Sequence, residues 1–247
     1  MLCVMTQAAN PPAAPLARVM LLAAGRGERM RPLTDTCPKP LLHVRGKSLM
    51  QWHLDALQRD GATPVLTNTA WLGEQIEAAF GPSLAYSHEG RDFGGALETA
   101  GGIARALPRL AETFWVLAGD VYAPDFVFSA QAMAAFEAST ALAHIWLVPN
   151  PEHNPAGDFG LDAQGLALDG PNATGQRYTY STIGLYRRAL FQAPWCSIAE
   201  GNPQGERAAL APLLRKAMAQ QRVTAALYTG AWTDVGTPQR LQQLNEA

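Results

Sequence analysis

The chain has 247 residues, of which 48% are apolar, and a formal net charge of −2. Enough apolar surface is present to build a core, which excludes a wholly disordered chain. The charge gives no basis for nucleic acid or an anionic membrane as partner, and no apolar run approaches the roughly 20 residues that cross a bilayer.

The opening MLCVMTQAANPPAAPLAR lacks a basic segment followed by a long apolar core, so no secretory signal is expected. Residues 1–17 read as a mobile Ala/Pro leader ahead of one domain over 18–247. Cys3, Cys37 and Cys196 show no CxxC or metal-ligand spacing, which suits a reducing cytoplasm. Residues 18–22 form an apolar run ending in Ala-Ala-Gly, the pattern of a buried parallel strand feeding a loop. Leu49, His53, Leu54 and Leu57 recur at helical spacing, with Ser48 as N-cap and Gly61 as the stop. Residues 63–67 predict a strand, 71–80 a helix, 84–87 a strand, 96–107 a helix and 113–118 a strong strand ending at Gly119-Asp120. This alternation predicts a doubly wound α/β sheet, with a nucleotide-binding half over about 17–125.

A sugar-phosphate half is expected over about 126–247, and after about residue 140 the rhythm changes. Residues 141–148 predict a strand, and 159–161, 166–168 and 178–186 read as antiparallel pieces divided by turns. A helix over 207–220, a strand over 223–228 and a closing helix over 238–245 complete the prediction. Ligands of such sheets sit outside the carboxyl ends of the strands.

Residues 21–42, LLAAGRGERMRPLTDTCPKPLL, gather Arg26, Arg29, Arg31 and Lys39 around a glycine turn. Gly25 and Gly27 let backbone N–H groups approach an anion, and Arg29 and Lys39 can neutralise phosphate oxygens. Pro32, Pro38 and Pro40 lower the entropy lost on ordering the loop. A solvated surface turn would read the same way. Position 30 is Met, which breaks the dinucleotide G-x-G-x-x-G, and the G-K-[ST] of a Walker loop is missing. Asp120 in VLAGDVY and Asp234 in AWTDVGT each follow a strand, so two carboxylates can converge on one hard cation, although an isolated Gly-Asp also makes turns.

The whole of residues 21–42 resembles the signature of the sugar-1-phosphate nucleotidyltransferases. The resemblance implies a Rossmann-like, GT-A-like α/β/α fold with a mixed central sheet and a small sugar-binding lobe. It implies that Ala23, Ala24, Gly25, Arg26 and Gly27 wrap a nucleoside triphosphate while Arg29 and Lys39 contact its phosphates. Asp120 and Asp234 match the family's Mg2+-binding aspartates, and Glu98, Thr99 and Gly102 in GGALETAGGI fall beside the base, although a plain helix start there is an even alternative. Many relatives carry L-G-T-A-G at that point; the form here resembles the L-E-T-G-G-G of a narrower group, the N-acetylmuramate α-1-phosphate uridylyltransferases. NTAWLGEQI, VPNPEHNPAGDF, LAPLLRKAM and WTDVGTPQRL agree with that group.

The reaction implied is in-line attack of a sugar 1-phosphate oxygen on the α-phosphorus of UTP, releasing pyrophosphate, within cell-wall recycling. Alternatives within the family are glucose-1-phosphate thymidylyl- or uridylyl transfer and mannose-1-phosphate guanylyl transfer, or CTP with phosphocholine; a silent nucleotide-sugar-binding subunit is an alternative of another class. Asn68, Asn154, Asp158 and Thr182 are the candidate sugar-phosphate contacts. Departures gather there: Ala118 stands where relatives often carry Asn, no Glu-Lys-Pro occurs, and YSTIGLY replaces a Phe-Ser-Gly-Ile pattern. His53 reads as packing and His153 as a possible sugar contact. Cys37 has no neighbouring base, and the six tryptophans read as anchors. A monomer and a homodimer are both compatible with the sequence.

Overall fold

The computed structural model describes residues 15–246. The leader assigned to 1–17, with Cys3, lies outside the described residues as far as position 14, and Ala17 already opens the first strand. β1 (Ala17–Leu22) leads into three single-turn helices at Glu28–Met30, Leu33–Asp35 and Lys39–Leu41. The hairpin β2 (His43–Val44) and β3 (Lys47–Ser48) follows, then α1 (Leu49–Arg59), β4 (Val65–Thr69), α2 (Gly73–Phe80) and β5 (Ala85–His88). Next come α3 (Glu89–Phe93), α4 (Glu98–Ala106), the long β6 (Leu110–Ala118), β7 (Val121–Tyr122) and α5 (Ala130–Ala138). The chain continues through β8 (Ala143–Val148), β9 (Gly160–Leu161), β10 (Ala167–Leu168) and β11 (Thr179–Arg187). It closes with α6 (Ala211–Met218), β12 (Val223–Leu227), β13 (Thr233–Asp234) and α7 (Pro238–Glu246).

Seven strands make one mixed sheet in the order β12-β8-β11-β6-β1-β4-β5. β1, β4, β5 and β6 are parallel, β11 runs antiparallel to both β6 and β8, and β12 lies parallel to β8. The period of two along β1 and β6 explains the layering. Val19, Leu21, Trp115 and Leu117 pack with Met50 and Leu57 of α1, whereas Met20, Phe114 and Val116 pack with Ile103 of α4 and Leu214 of α6. A strand buried on both faces needs this continuous apolar run. Among the described residues no helix is long and apolar enough to cross a membrane.

Ser48 caps α1 as its sequence predicts, its hydroxyl accepting from Gln51 N at 3.2 Å, and Gly61 follows with φ +70°. Several predicted boundaries move by a few residues, two of them for a plain physical reason. The strand predicted at 63 starts at Val65, because Pro64 has no N–H to give a ladder. The helix predicted at 207 starts at Ala211, because the backbone of Ala208 is tied to the start of α4: its N donates to Leu97 O at 3.1 Å and its O accepts from Ala100 N at 2.8 Å. α5 is absent from the sequence reading, since only Met133 and Phe136 of its nine residues are buried and no apolar stripe marks it.

Candidate active site

The register of the parallel strands sets the site. Leu22 pairs with Asn68 on one side and with Ala118 on the other, so β1, β4 and β6 end level with one another. Gly119 N donates to Leu22 O at 2.8 Å, and the chains leaving these three strands enclose a cavity of about 370 Å³. Ala23, Ala24, Gly25, Gly27, Arg29, Lys39, Asn68, Glu98, Thr99 and Asp120 all line it, together with Glu28, Glu89 and Gly236. Residues up to 214 positions apart in the chain, Leu22 and Gly236, thus meet at one sheet edge.

Gly27 sits at φ +68°, and a Cβ there would lie 3.0 Å from Thr34 Cγ2 and 3.3 Å from Lys39 Cβ. The loop closes on itself through Thr34 Oγ1, which donates to Gly27 O at 2.9 Å. A Cβ at Gly25 would meet no protein atom within 4 Å, so the room beside that backbone is cavity. Lys39 is 7% exposed and its Nζ lies 2.5 Å from Asp120 Oδ2. Arg26 is placed differently from its sequence reading. Its guanidinium donates to Thr34 O and Asp35 Oδ1 and stacks 3.7 Å over the Trp71 ring, so it braces the loop. That guanidinium holds the Asp35 carboxyl below its ordinary value.

Behind the cavity runs a buried chain that the sequence did not reveal. Asn68 Oδ1 accepts from Ala23 N at 2.8 Å and its Nδ2 donates to Glu89 Oε1 at 2.7 Å. Glu89 Oε2 accepts from Leu97 N at 2.8 Å. Burial pushes the Glu89 carboxyl above its ordinary range, against the lowering effect of the Leu97 and Asn68 hydrogen bonds. Both ends of the Asn68 amide are therefore engaged within the protein. Gly102 serves the same unit: a Cβ there would stand 2.5 Å from Glu89 Oε1, so glycine lets α4 close over the acid. Glu98 opens α4 at φ +59° and, like Thr99, faces the cavity.

The two candidate metal ligands are neighbours across a short antiparallel pair. Asp234 is in register with Val121, and Val235 N donates to Asp120 O at 3.0 Å. Asp234 Oδ1 carries an ion pair with Arg240 of α7, whose Nη1 also donates to Asp234 O at 2.9 Å; His153 Nε2 lies 2.7 Å from the same carboxylate oxygen. Arg240 was not legible as a site residue, and His153 meets Asp234. Among the described residues no group of three or more His, Cys, Asp or Glu could hold a metal ion. A two-carboxylate oxygen donor set fits Mg2+, which takes one or two protein carboxylates and fills its remaining positions with water and phosphate.

A second cavity of about 460 Å³ shares Leu22, Glu98, Thr99 and Ala118 with the first and is walled by Phe159, Tyr180 and Leu210 among others. Thr182 lines it. Asn154 and Asp158, expected as sugar contacts, line neither cavity; they tie the loop after β8 to β11. Asn154 Nδ2 donates to Thr179 Oγ1 at 3.1 Å and Asp158 Oδ2 accepts from Tyr180 N at 2.8 Å. His53 is buried, its Nε2 donating to Val121 O at 2.8 Å, and burial brings its pKa down to about 4. Trp52, Trp71 and Trp232 donate their indole N–H to backbone carbonyls of Val44, Thr34 and Ser181, the anchoring role expected of them.

Comparison with known proteins agrees with this geometry. Residues 18–247 match the model of the nucleotidyl transferase family. The chain is 47% identical over 238 residues to the N-acetylmuramate α-1-phosphate uridylyltransferase of Neisseria meningitidis serogroup B, covering 92% of this chain and 96% of that one. The enzyme so named in Caulobacter vibrioides is 30% identical over 240 residues, with 89% and 92% coverage. In fold, the chain is similar to a putative glucose-1-phosphate thymidylyltransferase of Bacillus anthracis, with a TM-score of 0.71 at 18% identity over 93% of this chain and 94% of that one. By family, sequence and fold together, this chain belongs to the nucleotidyl transferases and is a member of their sugar-1-phosphate group.

Proposed function

We propose that the chain is a Mg2+-dependent uridylyltransferase that joins UTP to N-acetylmuramate α-1-phosphate in the cytoplasm, within peptidoglycan recycling. The observation that carries this reading is the 47% identity to a uridylyltransferase of that name across nearly the full length of both chains. In support, the glycine turn, Arg29, Lys39, Glu98, Thr99 and Asp120 line one cavity that opens into a second. The acceptor brings its own anionic oxygen, so the reaction needs neither a covalent enzyme intermediate nor a side-chain base. A bond forms from that oxygen to the α-phosphorus; the bond from the α-phosphorus to the β-bridging oxygen breaks, and pyrophosphate leaves with the electron pair. The protein's part is positioning and charge stabilisation. Backbone N–H groups of residues 24–27 face the phosphates, Arg29 forks onto them and Lys39 supplies a point charge. Asp120 and Asp234 are the residues that would hold Mg2+, which when bound neutralises phosphate oxygens. Lys39 and Arg240 each neutralise one of these carboxylates, so two acids are tolerated on adjoining strands.

Pyrophosphate release tests the reading, with UTP, dTTP, GTP and CTP each paired with N-acetylmuramate, glucose and mannose 1-phosphates. UTP with N-acetylmuramate α-1-phosphate is expected to give the highest kcat/KM; a higher value for another pair, or no release at all, overturns it. Asp120→Asn should lose at least about 100-fold in kcat, and wild-type turnover at saturating Mg2+ would remove the metal assignment.

A further inference from the structure

Thr182 is held in the left-handed region at φ +66°, a conformation that costs a β-branched residue about 1–3 kcal/mol. Its surroundings impose it. The register between β8 and β11 shifts between Tyr180 and Gly184, and Ser181 is pinned within that bulge from three directions. Its Oγ donates to Trp146 O at 2.7 Å and accepts from Ile183 N at 3.1 Å, while its carbonyl accepts from Trp232 Nε1 at 3.0 Å. A second cost sits on the same residue: Thr182 Oγ1 is buried and has no hydrogen-bond partner. Two unfavourable features at one position, in the wall of a cavity, mark a residue kept for something other than folding.

The cavity says what that is. Leu22, Val116, Phe159, Leu210 and Leu214 give it apolar walls, and the Tyr180 hydroxyl is spent on Tyr186 at 2.6 Å. Glu98 and Thr99 offer polar groups where the two cavities meet, and against the apolar remainder a hydroxyl would find few partners. An acylamino substituent suits such a wall, since its methyl packs on apolar side chains while its single amide needs only one polar partner, and the unpaired Thr182 hydroxyl is available as that partner. We propose that Thr182 is a specificity-determining residue whose hydroxyl binds the N-acyl group of an N-acylated sugar 1-phosphate in the second cavity. This inference rests on the sugar-phosphate reading above.

The test uses N-acetylmuramate α-1-phosphate and its de-N-acetylated counterpart, titrated calorimetrically into wild type, Thr182→Val and Thr182→Gly, with thermal unfolding of each. Thr182→Val keeps the branched shape and loses only the hydroxyl. It should unfold no lower than wild type, bind the N-acetylated probe about tenfold more weakly and bind the deacetylated probe unchanged. Thr182→Gly should unfold at higher temperature and show the same selective loss. Unchanged affinity for the N-acetylated probe in Thr182→Val, or equal weakening of both probes, overturns the proposal. Wild type that binds the N-acetylated probe selectively but releases no pyrophosphate from UTP would defeat the proposed reaction and leave the Thr182 assignment standing. Wild type that binds neither probe would defeat both.

Discussion

Replacing Asn68 by Ala should damage the protein out of proportion to the three heavy atoms removed. Asn68 is 4% exposed, and its amide bridges the buried Ala23 N–H to Glu89, which is fully buried. Alanine leaves the Ala23 N–H without an acceptor and one Glu89 oxygen without its donor. Each orphaned buried group costs about 1–3 kcal/mol, towards the upper end where a charge is involved, giving about 3–5 kcal/mol together. That is a large share of the 5–15 kcal/mol typical of a folded domain. Urea unfolding at pH 7 measures it as a lower midpoint at unchanged slope. The pH dependence has a definite sign. The Glu89 carboxyl titrates above its ordinary value in the fold, so folding takes up a proton and stability falls as pH rises through the window above that value. Loss of the Asn68 donor removes a group that favours the carboxylate and widens that window, so the variant should lose more at pH 8 than at pH 5. A double variant with Glu89→Ala should cost less than the sum of the singles. A loss below about 1 kcal/mol, or strict additivity, would refute the bridge.

Lys39→Met removes the cation 2.5 Å from Asp120; because the Asp120 side chain is 39% exposed, stability in urea should fall by only about 1 kcal/mol, while kcat for pyrophosphate release falls about 10²–10³-fold. His53 is neutral in the fold down to about pH 4, so its contribution is complete above the ordinary histidine value of 6.5 and is lost as pH falls toward 4. The loss amounts to about 3 kcal/mol, and His53→Gln should remove that part of the slope in a series of urea titrations from pH 7 to 4. Two glycines should separate fold from site. A Cβ at Gly101 collides with the Glu206 carbonyl oxygen, so Gly101→Ala should cost about 1–3 kcal/mol in thermal unfolding; Gly25→Ala meets no protein atom and should unfold normally while UTP affinity falls in calorimetric titration.

What could be read in the sequence had a local physical signature. The loop of residues 21–42 declares itself because its glycines, prolines and cations are contiguous, Asp120 because it closely follows the apolar run of β6, and Asp234 through the resemblance carried by WTDVGT. Ser48 and Gly61 mark α1 by the capping rules alone. The illegible parts are long-range pairings. Glu89 looks like any acid at a helix start, and only the fold shows Asn68, 21 residues earlier, and Leu97 closing over it. Arg26 was read with residues 23–27 as part of the wrap around the nucleoside triphosphate; Asp35 and Trp71 hold its guanidinium. Arg240 lies on a helix whose described residues include none that is buried, so no periodic signal sets it apart from a solvated arginine.

The reversed direction of β11 explains why one sheet edge can serve two ligands. Parallel β1, β4 and β6 all deliver their carboxyl ends to that edge, which suffices for the first cavity. A further parallel strand would bring only another carboxyl-terminal loop. β11 runs the other way, with Gly184 opposite Val116, so the residues before Gly184 extend toward the end where β6 reaches Ala118 and Asp120. The bulge carrying Thr182 therefore arrives beside Ala118, and both line the second cavity. Rigid strands on both sides fix the separation between the two cavities without a hinge, the arrangement in-line attack requires, since a displacement of about 1 Å between reacting groups can cost 100-fold in rate. On this view, insertions in the loop after β8 should alter which acceptor binds, whereas a change in the β6–β11 register should abolish transfer to every acceptor.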